Sequence, residues 1–184
     1  MLFRIVNLIA FQVQWFASIL GAARQVGEAG LAVGLAWMVA HTWYLTGRRM
    51  QELATIGFAF AYGLVVESAM ASTGIMQLHG TFAITDGVVL PPLWLPVLWA
   101  GLGATINHSL GWLHGRYAHA AVMGAVAGPM AYAGAAHLGA TVIEPSLGFY
   151  VIGAVYAVAM PALLFVAQSA TREDSRPIEA GASG

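Results

Sequence analysis

The sequence predicts an all-α, polytopic membrane protein with six transmembrane helices, and three observations predict it. Of the 184 residues, 59% are hydrophobic and only 8% charged, against about 25% charged in an average soluble domain. Six stretches are long and apolar enough to cross a hydrocarbon layer about 30 Å thick, which takes about 20 helical residues. The arginines alternate between the two sides of such a bundle. Arg4, Arg48, Arg49, Arg116, Arg172 and Arg176 fall on one side and Arg24 alone on the other, which by the positive-inside rule puts both termini in the cytoplasm. Termini on a shared side require an even number of crossings, so charge and span count agree.

The first expected span is residues 2–23, closed by the polar run Arg24-Gln25-Val26-Gly27-Glu28. A signal peptide is the rival reading, with Arg4 as its basic region and Gly21-Ala22-Ala23 as its cleavage site. The apolar part is too long for that and is interrupted by Asn7, Gln12 and Gln14, so an uncleaved helix is expected. The further spans are residues 29–46, 53–78, 92–113, 117–140 and 147–168. Aromatic residues sit at span ends, with Trp43, Tyr44, Trp112 and Tyr117 inside and Trp94 and Tyr150 outside. The connection 78–91 is β-prone around Asp86-Gly87, which predicts a short outer hairpin or a re-entrant segment between helices three and four. Residues 1–168 thus form one transmembrane domain, and the polar remainder, 169–184, is expected to be a disordered cytoplasmic tail.

Composition also excludes functions. The absence of cysteine removes disulfides, thiolate metal sites and cysteine nucleophiles. Seven scattered arginines form no basic patch, so no nucleic-acid partner is expected. Nucleotide-binding Gly-rich loops, the GxSxG elbow and the HExxH zinc motif are all missing.

Against this background Glu67 is conspicuous, because it falls near the middle of the third span. A carboxyl there is costly unless it faces the bundle interior or has a partner, and the small neighbours Gly63, Ala71 and Gly74 would leave space beside it. It reads either as a proton-handling or ligand-binding group or as a hydrogen bond between helices. His41 in span two and Asn107-His108 in span four lie at similar depth, with His114 and His119 nearby. Histidines 108, 114 and 119 are six and five residues apart, whereas ligand pairs on one helix need a spacing of three or four. No metal site and no cofactor are therefore expected. Asn7, Gln14 and Ser18 share one face of span one, where they either line a cavity or bond to neighbouring helices. Gly30xxxGly34 and Gly124xxxGly128 predict close helix contacts. Pro129 and Pro161 predict kinks, so that Gly128, Pro129 and Tyr132 border a pocket. The candidate catalytic residues are Glu67, His108, Asn107 and Tyr132, and the candidate cavity-lining residues are Asn7, Gln14, His41, Gly128 and Pro129.

Phe11-Gln12-x-Gln14-Trp15-Phe16, Arg48-Arg49 with Glu52, Pro91-Pro92-Leu93-Trp94 leading to Leu98-Trp99, and Gly124-x-x-x-Gly128-Pro129-Met130-Ala131-Tyr132 occur in that order. In this the chain resembles, over residues 5–140, a bacterial inner-membrane family catalogued only as a domain of unknown function. In that family an aspartate commonly stands where this chain has Glu67, so the carboxyl is kept with one methylene more. The resemblance implies a wholly membranous inner-membrane protein. It also implies a gene neighbourhood resembling cyclopropane-fatty-acid synthases, flavin oxidoreductases and lipocalin-like proteins, and hence membrane-lipid modification or a response to photo-oxidative stress. It carries over no active site. The leading expectation is an accessory or catalytic component of fatty-acyl modification, with the bilayer and a lipid acyl chain as partners. A small proton-coupled carrier, which would need a homodimer, and a non-catalytic assembly or anchor subunit are the alternatives.

Overall fold

The computed structural model describes residues 1–45 and 49–174. Six α-helices carry the fold: α1 Leu2–Ala23, α2 Gly27–Ala40, α3 Arg49–Ser72, α4 Trp94–Gly103, α5 Tyr117–His137 and α6 Gly148–Asp174. Three of them, α1, α3 and α6 to Ala170, are long and apolar enough to cross a membrane. The outward faces of these three and of α5 are apolar too: Val13 on α1, Val65 on α3, Val126 on α5 and Phe165 on α6 are exposed, which suits a hydrocarbon solvent rather than water.

Helix α1 has the bounds that its apolar run predicts. The second helix continues past Ala40 into a five-residue π-helical turn, His41–Leu45. The fourth departs from expectation, because residues 92–113 are not one helix. At 1.5 Å per residue, the ten residues of α4 cover about half of a bilayer. Residues 104–110 then run on as consecutive turns, ending in a short 3-10 segment, Gly111–Leu113. The break follows from local chemistry. Gly101 and Gly103 weaken the helix, and the Thr105 hydroxyl and amide both turn back to the Leu102 carbonyl, at 2.6 and 2.9 Å. Helices α5 and α6 run unbroken through Pro129 and Pro161.

Four short strands lie at the end of the bundle opposite the N-terminus. Strands β2 Phe82–Thr85 and β3 Val88–Leu90 form the hairpin expected around Asp86-Gly87, with Gly87 at a φ of +91° that side chains rarely adopt. Ser72 ties it to α3, its hydroxyl accepting from the Val89 amide at 2.9 Å. Strand β1 Met76–Leu78 pairs antiparallel with β4 Thr141–Ile143, a long-range pairing that periodicity does not announce. Glu144 then opens α6, accepting from Ser146 Oγ at 2.7 Å and from the Leu147 amide at 2.6 Å. The Ser146 hydroxyl, followed by the Leu147 and Ser146 amides, holds its carboxyl down at about 2.

Helix α3 is central, packed on α4 and α6; α4 also meets α1 and α2, and α5 packs on α6. Both GxxxG pairs serve this packing. A Cβ on Gly124 or Gly128 would strike the backbone or ring of Tyr156, and one on Gly34 would come within 2.6 Å of Val97 Cγ1. Helices α1 and α5 do not pack along their length, which leaves a gap between them. Helix α6 continues beyond the expected start of the tail at 169, while residues 175–184 and the arginines at 48 and 176 lie outside the described residues.

Candidate functional site

The gap between α1 and α5 is a cavity of about 510 Å³ with mostly apolar walls. Phe11 and Trp15 of α1, Leu98 of α4, and Ala131 and Tyr132 of α5 are among the residues that line it. Met130, which also lines it, is 69% exposed, so part of the lining reaches the outer surface of α5. Trp15 closes one end, its ring within 3.4 Å of where a Cβ on Gly134 would sit.

One polar constellation stands behind the cavity wall. Glu67 of α3 is fully buried, and its Oε1 accepts hydrogen bonds from Trp99 Nε1 at 2.8 Å and from the Tyr132 hydroxyl. Its Oε2 makes no hydrogen bond. The glycine one turn before it explains the geometry. Gly63 gives the Trp99 indole room to lie flat on α3, because any Cβ there would overlap the ring. The space that small neighbours predicted beside Glu67 is thus filled by an aromatic wall. Tyr156 continues that wall, 4.6 Å from Trp99 and 6.0 Å from Tyr132 between ring centroids. Tyr132, Trp99 and Tyr156 line the cavity, whereas Glu67 does not. Tyr132 thus stands between the cavity and the carboxyl, with its hydroxyl turned to Glu67.

The second constellation lies at the N-terminal end of the bundle. His41 Nε2 is 3.0 Å from Glu52 Oε2, and His108 Nε2 is 3.1 Å from Glu52 Oε1. Asn107 Nδ2 donates to the same Oε1 at 3.3 Å. The two imidazoles stand edge to face with centroids 5.0 Å apart, and the Phe3 ring covers His108 at 4.8 Å. Three separate elements supply these groups: His41 begins the π-helical turn, Glu52 sits in the first turn of α3, and His108 belongs to the turns that follow α4. His108 Nε2 is close to its carboxylate oxygen but makes no hydrogen bond, nor does His41 Nδ1.

The structure therefore divides the four candidate catalytic residues between two places, Glu67 with Tyr132 and Asn107 with His108. It also moves most of the expected cavity lining. Gly128 does line the cavity, but Asn7, Gln14, His41 and Pro129 are not among its walls. Asn7 and Gln14 turn to the broken fourth segment, donating to the Ala104 carbonyl at 3.0 Å and the Val97 carbonyl at 2.8 Å. Asn7 Oδ1 also accepts from the Ser109 hydroxyl. A helix that ends inside an apolar bundle frees backbone groups, and this stripe satisfies some of them. Ser18 lies on the same face, fully buried against Gly30.

Two features escaped the sequence. Glu52 stands beside Arg49 just before an expected span and so reads as a loop charge, yet it is 3% exposed. Trp99 stands in the sequence only as part of a family motif and Tyr156 in no motif, and only the glycine four residues before Glu67 hints at a ring beside the carboxyl.

No curated protein and no solved structure matches this chain. One family model does, over residues 4–162. Its span includes both constellations and every wall of the cavity, so the chain belongs to the family described as a protein of unknown function, DUF2878.

Proposed function

We propose that this protein takes an acyl chain of a membrane lipid into the cleft between α1 and α5 and serves as an accessory or catalytic component of membrane-lipid modification. The observation that carries the reading is the apolar cavity between α1 and α5 with Tyr132, bonded to buried Glu67, in its wall. Ligand sites are concave and mostly apolar, with a few placed polar groups. This one has part of its lining at the outer surface of α5, where acyl chains lie. Tyr132 is the residue that meets the chain, and Glu67 is a positioning residue that orients the hydroxyl.

In this reading the chain crosses a bacterial inner membrane six times with both termini cytoplasmic, as its arginine distribution predicts. Helix α2 with its π-helical turn makes the second crossing, α4 with the turns after it the fourth, and α5 the fifth. Irregular backbone at membrane depth is tolerated where protein covers it, and Ala104, Thr105 and Ile106 are all buried. A proton-coupled carrier would need a polar route to Glu67, and the apolar walls of the cavity speak against one. A purely structural carboxyl would be fully paired, and Oε2 is not.

The test is lipid analysis of a deletion strain complemented with wild type, Tyr132→Phe or Glu67→Gln. The reading expects an altered acyl profile in the deletion, restored by wild type and not by Tyr132→Phe. An acyl profile unchanged by the deletion would sink it.

A further inference from the structure

We propose that His41, Glu52 and His108 form a binding site for one divalent first-row transition-metal ion. Their donor atoms, two imidazole Nε2 and a carboxylate oxygen, all lie within 4.8 Å of one another. Ligands at the usual 2.0–2.2 Å from a metal are about 3–3.5 Å apart when they share one ion; the two His–Glu separations, 3.0 and 3.1 Å to opposite carboxylate oxygens, fall in that range, and the wider spread of the set calls for a small inward rotation of the imidazoles on loading. Two imidazoles with one carboxylate suit zinc, and they are also the donor set of open, non-haem iron(II) sites.

Two further observations point to an ion rather than to hydrogen bonds alone. The first is His108 Nε2, buried and 3.1 Å from Glu52 Oε1 without a hydrogen bond. In the tautomer protonated at Nδ1, this nitrogen offers its lone pair to a metal held between it and the carboxylate. The second is charge. Glu52 is a carboxylate in a nearly closed pocket, and no arginine pairs with it among the described residues. A buried carboxylate is costly without a cation, and a divalent ion supplies that charge. The backbone is arranged for the purpose as well. The π-helical turn begins at His41 itself, and such turns within α-helices occur frequently at functional sites. Asn107 bonds the carboxylate from the side at 3.3 Å, the outer support that ligating carboxylates usually have.

This site is independent of the acyl-chain reading, since none of its three ligands lines the cavity. The two are nonetheless neighbours along the chain, because residues 104–110 present Thr105 and Leu110 to the cavity and His108 to Glu52.

The experiment uses the full chain, untagged and purified in detergent, stripped with a chelator and reloaded separately with Zn(II), Co(II) or Fe(II). Metal content per chain is read by mass spectrometry and affinity by competition with a chromophoric chelator. The proposal expects one ion per chain and a rise in melting temperature on loading. Because affinity rises along the first-row series at any such site, the ligand-field spectrum of the Co(II) form, four-coordinate or more open, separates the zinc site from the iron site. His41→Gln, His108→Gln and Glu52→Gln should each weaken binding by more than the roughly 10–100-fold that loss of an outer-shell partner costs. Glu67→Gln should leave binding unchanged. Should a ligand variant fail to fold, Cu(II) loaded into wild type gives a second readout, with nitrogen couplings from two imidazoles expected in its EPR spectrum. A wild-type chain that binds none of the metals at one per chain, a Cu(II) spectrum without imidazole nitrogen, or binding unaltered in all three folded variants would overturn the proposal.

Discussion

Tyr132→Phe isolates the bond on which the cavity reading depends. It deletes one hydroxyl and leaves the ring packed against Tyr156, so the main loss is the hydrogen bond to Glu67 Oε1, with a lesser contact to the Tyr156 hydroxyl. Trp99 Nε1 stays 2.8 Å from the same oxygen, so the carboxyl keeps one donor and the loss is bounded. Interhelical hydrogen bonds in membrane proteins average about 0.6 kcal/mol and reach about 1.7, and bonds to carboxylates lie at the strong end. A cost of about 1.5 kcal/mol is expected, close to a factor of ten in the folding equilibrium. The same substitution in a Glu67→Leu background removes a hydroxyl that keeps only its contact with Tyr156 and should cost little. The coupling in this double-mutant cycle is therefore also about 1.5 kcal/mol. It is read from reversible unfolding in mixed detergent micelles, followed by tryptophan fluorescence. A coupling below about 0.5 kcal/mol, the scatter of independent sites, would mean that Tyr132 and Glu67 do not act as a unit.

Four other perturbations follow from the packing and the hydrogen bonds. Gly124→Ala should destabilise by about 1–3 kcal/mol, because its Cβ meets the Tyr156 backbone. Gly57→Ala, with nothing within 4 Å, should instead stabilise α3 by about 0.5–1 kcal/mol; unfolding midpoints of the pair check both signs. Asn7→Ala should cost about 1–3 kcal/mol, since it strips the Ala104 carbonyl and Ser109 of a partner, and should speed hydrogen exchange over residues 104–110. Glu144→Gln should lower the melting temperature above pH 4.5, where the wild-type carboxylate caps α6. That difference should fade as pH falls from 4.5 toward 2 and the wild type is protonated too.

What the sequence made legible is what depends on local patterning. The first helix is bounded by its apolar run, the hairpin by Asp86-Gly87, and the GxxxG pairs by their spacing, so each could be placed without knowing its neighbours. Glu67 was legible because a charge so deep in an apolar run has no ordinary location. The fourth segment was not, since residues 92–113 are apolar enough on average while Gly101, Gly103 and Thr105 end the helix from within. Asn7 and Gln14 read as a polar face, but whether that face meets a cavity or a broken helix depends on α4. The His41–Glu52–His108 cluster was least legible of all. A rule about spacing on one helix rejects these histidines, whereas the fold gathers them from three elements, and Glu52 looked like a loop charge until α3 was seen to begin before it.

The central claim, an acyl chain held between α1 and α5, is tested most directly by photocrosslinking. A phospholipid with a diazirine midway along one chain is incorporated into nanodiscs with the full protein, and labelled peptides are mapped by mass spectrometry. The account predicts label concentrated on Phe11, Trp15 and Ala131 inside the cleft, and its loss from Phe11 and Trp15 when Ala131→Trp fills the space. Label spread evenly over outward-facing residues such as Val65, Val126 and Phe165, and indifferent to Ala131→Trp, would contradict it.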